Sequence, residues 1–145
     1  MIKPVEIAAS LFDQGFSCSQ SVFSAFAPQF DIPRELALRL GAPFGGGIAR
    51  QGEVCGAVTG ALMVLGVEFG YIKPQDRDGT YAVSQEFIRR FKERHTTILC
   101  RELIGYNLSI PGELERFRES DVSEKKCPVF VQNAVEIITL MLENK

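Results

Sequence analysis

The sequence predicts an all-α fold, a compact single-domain bundle of five to seven helices over residues 1–145. Three observations lead there. Apolar residues recur at three- and four-residue spacing in nearly every periodic stretch. Cap residues, prolines and glycines fall where those stretches should start and stop. No run alternates apolar and polar residues in the manner of a half-buried strand. A chain of 145 residues buries enough surface to hold a core without cross-links.

Taken in order, Val5, Ala8, Ala9 and Phe12 form the first apolar stripe, and Gly15 ends it as a C-terminal glycine. Ser17 caps the next helix, where Cys18, Val22, Ala25 and Phe26 share a face, and Pro28 stops it. Asp31-Ile32-Pro33 reads as a cap followed by proline in the first turn of a short helix ending near Leu40. The glycine-rich stretch 41–52 reads as a loop. Cys55, Val58, Leu62, Leu65 and Phe69 then make a core-facing stripe that Gly70 and Pro74 close. Asp78 is expected to cap a long helix with Ser84, Phe87, Ile88 and Phe91 inward and Arg89, Arg90, Lys92 and Glu93 outward. A short helix at Cys100, Leu103 and Ile104 follows, then a turn or two over Pro111 to Arg118. The last helix runs from about Pro128 with Phe130, Ala134, Ile137, Ile138 and Met141 inward.

Composition excludes several classes of function. Sixteen basic against 18 acidic residues leave a formal charge of −2, with no electrostatic case for nucleic acid or an anionic membrane. The longest apolar run, Val54 to Val67, falls short of the ~20 residues a membrane span needs, and the N-terminus lacks a signal-peptide core. The expectation is a cytoplasmic protein without membrane insertion, in which cysteines stay free, bind a group or do chemistry.

Four cysteines, Cys18, Cys55, Cys100 and Cys127, are spread along the chain, each near a helix start and on its apolar side. Helix N-termini carry unpaired N–H groups and about half a positive charge, which favour a thiolate or an anionic thiolate-bound centre. A lone cysteine on an apolar stripe is ordinarily core packing. Four in equivalent positions point to one shared site. No Cys-x-x-Cys is present, so neither a thioredoxin-like dithiol nor a zinc ribbon is indicated.

Small residues accompany the cysteines. Gly56 and Gly60, with Ala57 and Ala61, make ridges that let a helix or a cofactor approach the backbone. Gly45, Gly46 and Gly47 offer successive N–H groups of the kind that bind anions, without the Lys-Ser/Thr of a P-loop. Their stretch is expected to lie as a flexible lid over the cysteines, with Arg50 and Glu53 at its mouth. His95, the single histidine, sits on a charged helix and reads as solvated, with a role as ligand or proton donor left open. Arg101-Glu102 reads as a surface pair.

The order Cys18, Gly52-x-x-Cys55-Gly56-Ala57-x-x-Gly60, Cys100, Cys127 resembles the redox-active protein family named for its C…GCAxxG…C…C pattern. Ser17 to Val22, Phe44 to Ile48 and Cys100 to Gly105 are similar as well, so the likeness covers nearly the whole chain. That family is also similar to a domain of split-Soret cytochromes c, where an iron–sulfur centre accompanies haems. The resemblance implies that the four cysteines serve as cluster ligands or redox thiols. The absence of Cys-x-x-Cys-His means that attached haem is not carried over. Three readings follow: electron transfer through an iron–sulfur cluster, a cycling dithiol, or a non-catalytic zinc site. Whether the protein is an enzyme stays open, as do its redox partner and a homo-oligomeric state.

Overall fold

The computed structural model describes residues 2–144. Among them are nine α-helices: α1 (Pro4–Asp13), α2 (Cys18–Phe26), α3 (Arg34–Gly41), α4 (Gly56–Phe69), α5 (Arg77–His95), α6 (Cys100–Ile104), α7 (Glu113–Glu119), α8 (Val122–Lys125) and α9 (Cys127–Glu143). The expected all-α class holds, with no β-strand beyond one isolated bridge, Val54 with Leu99. The expected range of five to seven helices is exceeded only by the very short α6 and α8. Glycine and proline punctuation does not foretell α8, a single turn four residues long.

α4 is the central helix. It packs on α2, α5 and α9, while α1 and α3 flank α2. Its burial is wider than one stripe: Ala57, Ala61 and Val64 are fully buried beside Val58 and Leu65, whereas Leu62 and Phe69 are only half-buried. α2 and α4 approach closely because α4 carries glycine at the contact. A Cβ on Gly60 would lie 2.8 Å from the Ser19 carbonyl oxygen and 3.1 Å from Val22 Cβ. The core between these helices and α9 includes Val22, Phe26, Phe87, Phe91, Val131 and Ile138.

The termini follow local chemistry. α1 ends in a Schellman motif: Gly15 has φ 100°, its N–H donates to the Phe12 carbonyl, and the Phe16 N–H donates to Leu11. At α2, Ser17 and Gln20 form a reciprocal capping box. Two expected caps move. Asp31 is left-handed (φ 58°) and closes the 3₁₀ turn Ala27–Phe30, so Pro33 becomes the residue before α3. A 3₁₀ turn at Pro74–Asp76 feeds α5 two residues earlier than expected, with Asp76 rather than Asp78 at the cap.

The stretch 41–52 is a built element rather than an open loop. After a 3₁₀ turn (Ala42–Phe44), residues 46–50 are all left-handed, with φ between 49° and 74°. Ile48, Ala49 and Arg50 adopt this conformation with side chains, at roughly 1–2 kcal/mol per residue. A ladder offsets the strain: Ile48, Ala49, Arg50, Gly52 and Glu53 donate to the carbonyls of Phe44, Pro43, Gly45, Gly46 and Gly47.

Candidate functional site

Each cysteine stands at the beginning of a helix. Cys18, Cys100 and Cys127 are the first residues of α2, α6 and α9, and Cys55 is the cap of α4. The fold brings all four to one cavity of about 270 Å³. Cys55, Cys100 and Cys127 are buried, Cys18 is half-buried, and all are free thiols.

Two backbone hydrogen bonds hold α4 and α6 in register at this cavity. The Cys55 N–H donates to the Ile98 carbonyl at 2.8 Å, and the Cys100 N–H donates to Glu53 at 2.7 Å. Arg101 reinforces the join by donating to the Gly52 carbonyl at 3.1 Å and pairing with Glu53 at 3.5 Å. Arg101 therefore does not pair with its neighbour Glu102, which accepts instead from Thr97.

The thiols differ electrostatically. Hydrogen bonding with Cys127 and then with Cys55 holds Cys18 well above the ordinary thiol value, and burial adds to the effect. The same contact from Cys18 draws Cys55 below its ordinary value, with the N–H groups of Ala57 and Val58 helping and burial opposing. Cys127 is likewise lowered by Cys18, against burial and the charge of Cys55. Cys100 is pushed up to about 12, first by burial and then by Cys55 and Cys127. Cys18 thus holds its proton more firmly than an ordinary thiol, and Cys55 and Cys127 less firmly.

The remaining wall is small or apolar. Gly46, Gly47 and Gly56 line the cavity. A Cβ on Gly47 would lie 2.7 Å from Cys100 Cβ, and one on Gly56 would lie 3.2 Å from Cys18 Cβ. Gly45 and Gly60 are not on the wall: Gly45 packs on Ser17, and Gly60 receives α2. Arg50 and Glu53 are also absent from it, because the left-handed turn directs its glycine end to the cavity. His95 lies elsewhere, between the rings of Phe91 and Phe130 and 2.8 Å from Asn133 Oδ1. It is partly buried rather than solvated, and burial lowers its pKa.

Sequence reasoning missed Phe12, Phe16, Phe117 and Ser123 as parts of the wall, which Leu103, Ile104, Leu108 and Phe130 also line. Phe12 was legible as an apolar stripe position and Ser123 lies one turn before Cys127, but neither carries a signal pointing to this cavity. Among the described residues, no group of three or more His, Cys, Asp or Glu side chains is placed to hold one metal ion. No helix among them is long and apolar enough to cross a membrane.

A family model described as "Putative redox-active protein (C_GCAxxG_C_C)" matches residues 16–141, a span that contains all four cysteines. No curated protein and no solved structure matches the chain.

Proposed function

The chain belongs to the C_GCAxxG_C_C family of putative redox-active proteins, and from that premise we propose that it is an electron-transfer protein whose four cysteines hold an iron–sulfur cluster. One observation carries this reading: four thiols from four separate helix starts line a single cavity large enough for a bound group. Thiols that served only to pair with one another would not need that space. A lone zinc ion suits the arrangement less well. Zinc–sulfur bonds of ~2.3 Å would draw all four sulfurs to within about 4 Å of each other, leaving much of a cavity of about 270 Å³ unused. A cluster spreads its ligands over more than one iron.

When bound, the cluster supplies a one-electron couple. Cys18, Cys55, Cys100 and Cys127 would hold it. The starts of α2, α4 and α9 favour the negative charge of thiolates. Phe12, Phe16, Phe117 and Phe130 keep water away from the sulfurs, and Gly47 and Gly56 leave room where a methyl would intrude. Residues 1–145 would act as one domain in a reducing cytoplasm, exchanging electrons with a separate redox partner.

The contacts of Cys18 favour a second reading. Cys55 and Cys127 both act on its proton affinity, and in this reading Cys18 would form a disulfide with one of them, releasing two electrons and two protons to a partner acceptor.

The test is iron, sulfide and zinc content with a visible spectrum, on protein purified without oxygen. Iron and sulfide in matching amounts, lost in each Cys→Ser variant, support the cluster. A metal-free protein with one fast-cycling cysteine pair overturns it in favour of the dithiol. Stoichiometric zinc alone overturns both.

A further inference from the structure

We propose that the N–H groups of Gly46 and Gly47 form an amide clamp that hydrogen-bonds anionic sulfur in the group held by the four cysteines. The inference rests on the cluster reading above and adds a role for the left-handed turn.

The argument begins with an unequal distribution of hydrogen bonds. Within the turn, every N–H from Ile48 to Glu53 has a backbone acceptor. The N–H groups of Gly46 and Gly47 have none among the described residues. Gly47 is buried, and a buried peptide N–H without an acceptor is rare in folded proteins. These two glycines are also the residues through which the turn lines the cysteine cavity. The unmet donors and the four sulfurs therefore border the same space, and thiolate-bound sulfur is the acceptor chemistry that completes them.

The strain in the turn has a use on this reading. Three residues with side chains hold left-handed backbone so that Gly46 and Gly47 can stand at the wall with their donors free. Both positions need glycine. A Cβ on Gly46 would meet Arg50 Cα at 2.9 Å, and one on Gly47 would meet the Glu53 nitrogen at 2.7 Å. A protonated thiol gains little from this arrangement, whereas an anionic group is stabilised by each N–H and its reduced form more than its oxidised form. The clamp therefore raises the reduction potential.

Residue-resolved hydrogen exchange tests it on the full chain, comparing metal-free protein with protein loaded anaerobically with ferrous iron and sulfide. The expected result is at least a tenfold slowing at Gly46 and Gly47 on loading, larger than the change at Gly52 and Glu53, which are already bonded. Loading without slowing at the two glycines overturns the clamp and leaves the cluster reading standing. Failure to take up iron and sulfide overturns both. As a second measurement, Gly47→Ala keeps all four thiols but displaces the amides, and its loaded form should show a lower reduction potential. An unchanged potential counts against the clamp.

Discussion

Val54 and Leu99 pair as an isolated antiparallel bridge, and each stands immediately before a cysteine. Two residues that would be unremarkable in a longer ladder here fix the separation of Cys55 and Cys100, whose N–H groups make the two hydrogen bonds of the bridge. The amides of Cys55 and Cys100 should therefore exchange with solvent as one protected unit. Gly52→Ala should loosen both. It places a methyl 2.7 Å from Asn107 Oδ1 at φ 69°, with left-handed strain of about 1–2 kcal/mol, equivalent to roughly tenfold in exchange rate. Acceleration at only one of the two amides would show that the bridge does not couple them.

Ala49→Gly should stabilise the protein, against the usual cost of glycine. Ala49 has φ 49°. Relief of about 1–2 kcal/mol of left-handed strain is reduced by about 0.4–1 kcal/mol of added freedom in the unfolded chain. A gain of about 1 kcal/mol in urea unfolding is expected, and a loss would mean that the turn is not strained at this position.

Gly60→Ala should do the reverse. Its methyl would lie 2.8 Å from the Ser19 carbonyl oxygen, which is backbone and yields little. Overpacking of this kind costs about 1–3 kcal/mol. Because α2 carries Cys18, on the cluster reading the variant should also bind less iron, measured per mole of folded protein.

His95 ties stability to pH. Burial lowers its pKa from the ordinary 6.5, the contact with Asn133 opposes the shift, and Arg94 adds to it. Below that value the unfolded chain binds a proton that the native state accepts less readily, so stability falls as pH falls through about 6.5. Urea midpoints at pH 7.5 and 5.5 should differ less in His95→Gln than in the parent.

In the metal-free protein, alkylation should separate the thiols by pH profile. Cys55, held below the ordinary thiol value, should reach its plateau rate at lower pH than Cys100. Cys100, pushed up to about 12, should still be gaining rate between pH 9 and 11. Coincident profiles would show that their environments do not differ.

The helices were readable because each apolar stripe and cap is a local pattern. The cysteine set was readable because Ser17, the Cys55-Gly56 step and Pro128 each mark a helix start near a thiol. What joins those starts was not readable. The left-handed run 46–50 contains Ile48, Ala49 and Arg50, which carry no preference for positive φ, so only the surrounding ladder enforces it. His95 looked solvated because its neighbours in sequence are charged, while its neighbours in space, Phe91 and Phe130, are aromatic. Gly60 served the packing of two helices rather than the cavity, and a ridge of small residues reads alike for both uses.

The four sulfurs come from positions scattered between residues 18 and 127, and only the folded chain assembles them. A fragment that stops before α9 carries only three of the four thiols and lacks the complete site. On the cluster reading, the chain must have left the ribosome through Cys127 before the last helix start can join the other three, so the inorganic group would be taken up only after that point.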